Sequence, residues 1–238
     1  MLRNFIILIL LLIPIQSFGQ GKVTRPQKQA THQSVTPKKN NINEPTFGNV
    51  NGHDWVDLGL PSGTKWATCN VGASTIYDCG SYFSWGCTET PTDGVYSIET
   101  CPTYSKQIAD ISGRSSYDVA KLLWGNEWCI PTKEDYSELL KYCKFSIVQI
   151  EGEELYTLTG RNGNSISFPK NQIAIGKSKQ NFSGSSMVKV IKVQLWLSTP
   201  FSDRLGYTMT CTDEGFRALY SCGKYNGLPI RPVIKTTK

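Results

Sequence analysis

Eight cysteines, two histidines, an acidic cluster, a lysine-rich stretch and a set of tyrosines are the residues of this 238-residue chain whose types suit chemistry. The cysteines are Cys69, Cys79, Cys87, Cys101, Cys129, Cys143, Cys211 and Cys222, with no C-x-x-C pair among them. That spacing does not suit a structural zinc site or a C-x-x-C redox motif. An even number behind an export leader favours disulfides, and at least two bridges are expected. Spacing alone does not say which cysteines pair.

His32 lies in a polar tail, which leaves His53 as the histidine for any Ser-His-Asp or Cys-His arrangement. There is no G-x-S-x-G elbow and no G-x-G-x-x-G. Gly176-Lys177-Ser178 resembles the end of a phosphate-binding loop, but Asn171 stands where its first glycine belongs. Glu151, Glu153 and Glu154 surround Gly152 and read as a solvated turn, because they lack the spacing of calcium ligands. The sequence therefore argues against an enzyme, and no metal or cofactor is expected.

Two candidate binding surfaces remain. Tyr207, Arg217, Tyr220 and Tyr225 lie among glycines near the C-terminus, where a rigid scaffold commonly presents binding loops. Between Leu155 and Ser202 no Asp or Glu occurs, while Lys177, Lys179, Lys189 and Lys192 do, a pattern suited to an acidic glycan. The plainer readings are rim aromatics and a solvated loop. Trp66, Trp85, Trp128 and Trp196 sit in strand-like segments and read as core.

The elements that must position these residues follow from periodicity. Residues 1–19 read as a secretory leader: Arg3, an apolar run from Phe5 to Ile13, then Ser17-Phe18-Gly19. That run is too short to span a bilayer, and no later segment is apolar enough, so no membrane span is expected in the mature chain. Residues 20–52 read as a flexible basic tether, with five basic residues against Glu44. The formal charge of +6 is thus concentrated ahead of residue 53, and no nucleic-acid partner is expected. Residues 53–238 hold all 6 Trp and all 11 Tyr and form the folded domain.

Thr132 with Asp135 marks a capping box ahead of a helix to Cys143, with Tyr136, Leu139, Leu140 and Cys143 on one stripe. A shorter helix is predicted at Tyr117–Trp124, its apolar face carrying Val119, Leu122 and Leu123. Leu155–Thr159 and Ser165–Phe168 form a hairpin around Gly160 to Asn164. Further strands are predicted at Lys65–Asn70, Tyr82–Trp85, Val193–Ser198, Gly206–Cys211, Phe216–Tyr220 and Ile230–Ile234. Two helices among many short strands define an α+β domain, mostly antiparallel.

VDLGLPSGTKWATCNVGA (Val56 to Ala73), GSYFSWG (Gly80 to Gly86), WGNEWCIPTKEDYSELL (Trp124 to Leu140), TGRNGNSISFP (Thr159 to Pro169), LWLST (Leu195 to Thr199) and GLPIRPV (Gly227 to Val233) occur in this order. Together they resemble the Fibrobacter succinogenes major paralogous (FISUMP) domain, with Cys129 where that family usually has Arg. The resemblance implies a C-type-lectin-like fold, remotely akin to formylglycine-generating enzymes, in a secreted or surface protein. The cysteine pair of those enzymes does not map here, since Pro232 stands in the closing strand. The E-P-N and Q-P-D tripeptides of sugar-binding C-type lectins are absent from the domain. The resemblance also suggests Cys69 with Cys143 as a first disulfide pair. The expected function is a secreted, periplasmic or surface-exposed binding domain for a glycan or surface protein. A structural component of cell-envelope assembly is the alternative.

Overall fold

The computed structural model describes residues 46–180, 190–217 and 219–236. The expected leader, the tether as far as residue 45, and Lys189 lie outside them.

The domain opens with a hairpin, β1 (Phe47–Val50) and β2 (His53–Asp57). Asn51 and Gly52 close it with φ of 54° and 85°, the positive values that a two-residue turn needs to match strand twist. β1 falls within the stretch read as tether. Its strand is built by pairing, Phe47 opposite Val56, and not by apolar periodicity, so polarity alone misplaced the boundary.

β3 (Lys65–Ala67) pairs with β2, and a long excursion without helix or strand then leads to α1 (Val119–Trp124), β4 (Trp128–Cys129) and α2 (Lys133–Tyr142). The remaining strands are β5 (Lys144–Ile150), β6 (Glu153–Thr159), β7 (Ser165–Pro169), β8 (Ile173–Ile175), β9 (Ser178–Gln180), β10 (Val193–Pro200), β11 (Leu205–Thr212), β12 (Gly215–Phe216), β13 (Tyr220–Gly223) and β14 (Val233–Ile234). Their pairings are antiparallel, which makes the described chain α+β. One sheet runs β1-β2-β3-β14-β4, so the C-terminal strand closes the N-terminal sheet. A second runs β10-β11-β12 with β13 also on β11; β5-β6-β7 form a third and β8-β9 a fourth.

α2 starts as its sequence predicts. The Thr132 side chain accepts from the Asp135 N–H, and Asp135 accepts from the Thr132 N–H, so two otherwise unpaired donors are satisfied. Its Tyr136 and Leu139 are buried between α2 and β10–β11, in a core with Tyr156, Phe168 and Leu195. A second core holds Trp85, Trp124, Trp128 and Trp196 with Phe83 and Ile130. The four tryptophans read as core are fully buried. Buried Arg231 ties the closing strand to its neighbours: it donates to Asn70 Oδ1 at 2.8 Å, to the Ala67 carbonyl and to the Ser167 carbonyl.

Several elements differ from the sequence reading. α1 begins at Val119, capped by Asp118, and buries Val119, Ala120 and Trp124. Leu122 and Leu123 instead stand 53% and 57% exposed, because Trp124 and Ala120 take the inward face. Tyr82–Trp85 makes a single bridge, Phe83 with Leu228, and the predicted strand at Phe216–Tyr220 is split between β12 and β13. β5, which the sequence did not signal, is held by seven paired positions with β6. Its Glu151-Gly152 turn has φ of 52° and 86°; of the acidic cluster only Glu151 lies in that turn, while Glu153 and Glu154 begin β6 opposite Ile150 and Gln149.

Candidate functional site

The excursion between β3 and α1 is an ordered loop system, and its local hydrogen bonds explain why. Short polar side chains hold successive turns: Asp78 accepts from the Gly80 N–H at 2.9 Å, Asp93 from Val95 at 3.0 Å and Asp110 from Ser112 at 2.9 Å. Thr100 Oγ1 donates to the Val95 carbonyl and accepts from the Ser97 N–H. Gly86 has a positive φ of 71°, which lets the chain turn away from Trp85.

Three anchors fix this loop to the rest. Trp85 is buried; its N–H donates to the Lys224 carbonyl at 2.8 Å and its indole donates to the Leu197 carbonyl at 2.9 Å. Thr103 is buried as well, and its hydroxyl donates to the Trp85 carbonyl. Asp118, fully buried, accepts from the Gly113 N–H at 2.6 Å, from Ile130 at 2.9 Å and from Lys121 at 3.1 Å. One carboxylate thus joins the end of the loop to α1 and to the segment after β4.

The loop folds around a groove of about 720 Å³ lined by residues of 86–117. Cys87, Glu89, Asp93, Thr103, Lys106 and Tyr117 bring a thiol, two carboxylates, a hydroxyl, an ammonium and a ring to its walls. The Arg114 guanidinium lies 5.0 Å from the Tyr117 ring centroid and supports that ring from one side. Close behind the wall, Lys224 is fully buried, its Nζ 4.3 Å from the Trp85 ring centroid and donating to the Lys106 carbonyl at 3.2 Å. Burial lowers the Lys224 pKa, because water no longer solvates its charge.

The candidates read from the sequence lie elsewhere, and they do not converge. Tyr207 is half-buried on β11, edge-on to Phe201 at 5.3 Å. Tyr220 pairs opposite Thr208, so it faces the other side of the sheet from Tyr207. Arg217 is held by Glu214 and donates to Thr212 Oγ1 at 3.2 Å. Tyr225 packs edge-on to Tyr104, at 5.6 Å, and its carbonyl accepts from the Ser84 hydroxyl. Among the lysines, Lys177 is exposed and Lys179 lies 4.2 Å over the Tyr82 ring, beside a smaller depression of about 540 Å³ that Lys170 also lines. Lys192 is paired with Asp213 at 3.1 Å, so it is not free to meet an anionic polymer.

All eight cysteines are free thiols in this structure. Cys69 accepts from the Thr68 hydroxyl at 3.9 Å, while Cys143 caps the end of α2. Cys101 is buried, its Sγ 3.4 Å from Thr103 Oγ1 and 3.4 Å from the Lys224 carbonyl. His53 is stacked on Trp124 with centroids 3.7 Å apart and is edge-on to Trp128. Burial lowers its pKa from 6.5, against the opposing effect of Asp54. Among the described residues no group of three or more His, Cys, Asp or Glu is placed to hold a metal, and no helix is long and apolar enough to cross a membrane.

The sequence reading missed the groove because its lining residues are spread over a polar stretch without periodicity. The signal that does mark it is the density of Asp, Thr and Gly between 86 and 117, residues suited to turns. Comparison with family models, curated proteins and solved structures found no match. The FISUMP-like reading therefore stands on its motifs alone.

Proposed function

We propose that this chain is a secreted or surface-exposed, non-enzymatic binding domain whose ligand is a glycan seated in the 86–117 groove. The observation that carries the reading is the chemistry of the lining. Sugars present hydroxyls in fixed directions and apolar C–H faces. The groove offers Glu89 and Asp93 as acceptors, Lys106 as donor and the Tyr117 ring as a stacking face. The groove is of ligand-binding size and is built on hydrogen-bonded turns, so little ordering entropy is lost on binding. Export rests on the leader read at residues 1–19, and the FISUMP-like motifs agree with a surface protein.

A second reading, envelope assembly, is favoured by one observation. Leu122 and Leu123 stand side by side and exposed on α1. Sedimentation of the full chain over a range of concentrations tests it: a monomer throughout leaves that reading without self-association to support it.

The glycan reading is tested by an array of neutral and acidic oligosaccharides probed with the full chain, in calcium and in chelator. Selective binding that is insensitive to chelator is expected. Uniform absence of binding by folded protein would refute the glycan reading.

A further inference from the structure

β5 is an outer strand with an unprotected edge, and neither the groove nor the α1 leucines involve it. Its seven residues, Lys144 to Ile150, pair with β6 without a bulge. Among the described residues no strand and no backbone hydrogen bond meets its other edge. Exposed edges are normally blunted by shortness, proline, a bulge or charge, because their unpaired N–H and C=O groups recruit further strands. The other outer strands of the three larger sheets show such protection. β1 and β13 have four residues each, and β4 and β12 have two. β7 ends in Pro169, and its Ser167 carbonyl accepts from buried Arg231. β10 is longer, but its Trp196 and Ser198 N–H groups donate to the Pro229 and Pro131 carbonyls. β5 carries no proline and no charge after Lys144, and Ile147 and Ile150 each stand 39% exposed.

We propose that β5 is a self-association edge, at which this chain pairs antiparallel with β5 of a second copy to make a sheet of order β7-β6-β5-β5-β6-β7. The strand is complementary to itself. The two-residue Glu151-Gly152 turn makes Ile150 and Glu153 a hydrogen-bonded pair. By the alternation of the ladder, Ser146 and Val148 also bond β6, while Phe145, Ile147 and Gln149 turn their N–H and C=O groups outward. Outward groups meet outward groups when a two-fold axis passes through Ile147, the middle residue of the strand. Ile147 then lies beside its own copy, Phe145 lies opposite Gln149, and Lys144 lies opposite Ile150 and next to Glu151.

Charge selects this arrangement. Lys144 is exposed and makes no ion pair among the described residues. Glu151 and Glu153 are exposed at the opposite end of the strand. Antiparallel pairing sets the ammonium of each copy against the acidic turn of the other, at both ends of the interface. Parallel pairing would set like charges together and is disfavoured. A contact confined to one strand falls at the small end of specific interfaces, below about 1,200 Å² in total. The dimer is therefore weak, with dissociation in the micromolar range.

The test is sedimentation equilibrium of the reduced full chain from about 5 to 500 μM, with amide hydrogen exchange measured at both ends of that range. The dimer fraction should rise across it. Exchange should slow at Phe145, Ile147 and Gln149 in the concentrated sample and stay unchanged at Ser146 and Val148. Ile147→Lys, which brings two ammonium groups together at the axis, should weaken association at least about tenfold. Leu122→Asp, on the exposed side of α1, should leave it unchanged. A monomer at every concentration overturns the proposal, and so does a dimer without added protection at those three amides. A dimer that survives Ile147→Lys and is lost in Leu122→Asp overturns it as well. The wild-type exchange pattern decides the matter even where a variant fails to fold. The measurement involves no glycan, so its failure leaves the groove's ligand a separate question.

Discussion

The β5–β7 and β10–β11 half of the domain and the 68–118 loop half are stabilised by different means. In the first, side chains recur: Leu155 and Leu158 on β6, Val193, Leu195 and Leu197 on β10, and Tyr136 and Leu139 on α2 meet in one core. Each contributes through buried area, and the loss of one is shared among its neighbours. In the second, individual hydrogen bonds at Trp85, Thr103 and Asp118 hold a chain that forms no helix or strand. The regular half gives a scaffold, and the irregular half gives a groove with chemically varied walls. The proposed ligand groove lies where the backbone is free of ladder geometry and still fixed.

The contrast predicts concentrated energetics in the loop half. The largest effect is expected at Trp85, where the loop, Lys224 and β11 meet; a Cβ on Gly206 would come within 2.5 Å of its ring. Trp85→Ala should cost about 3–5 kcal/mol, the usual range for emptying a buried aromatic site. Urea unfolding followed by circular dichroism measures it. A cost under 1 kcal/mol would mean the loop is not anchored there.

Asp118→Ala comes next. It strands three backbone N–H groups that the carboxylate now accepts, and it removes the cap of α1. A loss of about 3 kcal/mol is expected, from the missing cap and the unpaired buried donors. Hydrogen exchange should quicken at Gly113 and Ile130 first, ahead of the β6–β7 hairpin. Uniform quickening across both halves would erase the distinction drawn between them.

The smallest effect is expected at His53. Its pKa lies below 6.5 because burial against Trp124 disfavours the imidazolium. The folded state then binds this proton less readily than the unfolded chain. The group's contribution to stability is present above pH 6.5 and is lost as pH falls through the lower, folded value. An NMR titration of its ring protons checks the direction; a midpoint above 6.5 contradicts it.

Legibility in the sequence followed the same division. The capping box at Thr132, the stripe through Tyr136 and Leu139, the 155–168 hairpin and the buried tryptophans were readable because periodicity and capping are local rules. β1 and β5 were not, since each is defined by the strand opposite it. The exposed leucines of α1 show the limit of periodicity in a six-residue helix, where either of two apolar faces fits. The groove was illegible for a further reason: Cys87, Lys106 and Tyr117 are neighbours only through turns whose path depends on distant partners such as Lys224. The tyrosines chosen from the C-terminal segment have suitable chemistry, but strand alternation puts Tyr207 and Tyr220 on opposite faces of their sheet.

The most direct test compares the two regions on one oligosaccharide array. Wild-type chain, Tyr117→Ala in the groove and Tyr220→Ala on β13 are probed side by side, with folding of each verified by circular dichroism. Loss of about tenfold in affinity for Tyr117→Ala, equivalent to about 1.4 kcal/mol, with Tyr220→Ala indistinguishable from wild type, is the predicted result. Binding that survives Tyr117→Ala and is lost in Tyr220→Ala would contradict the account and place the ligand on the sheet.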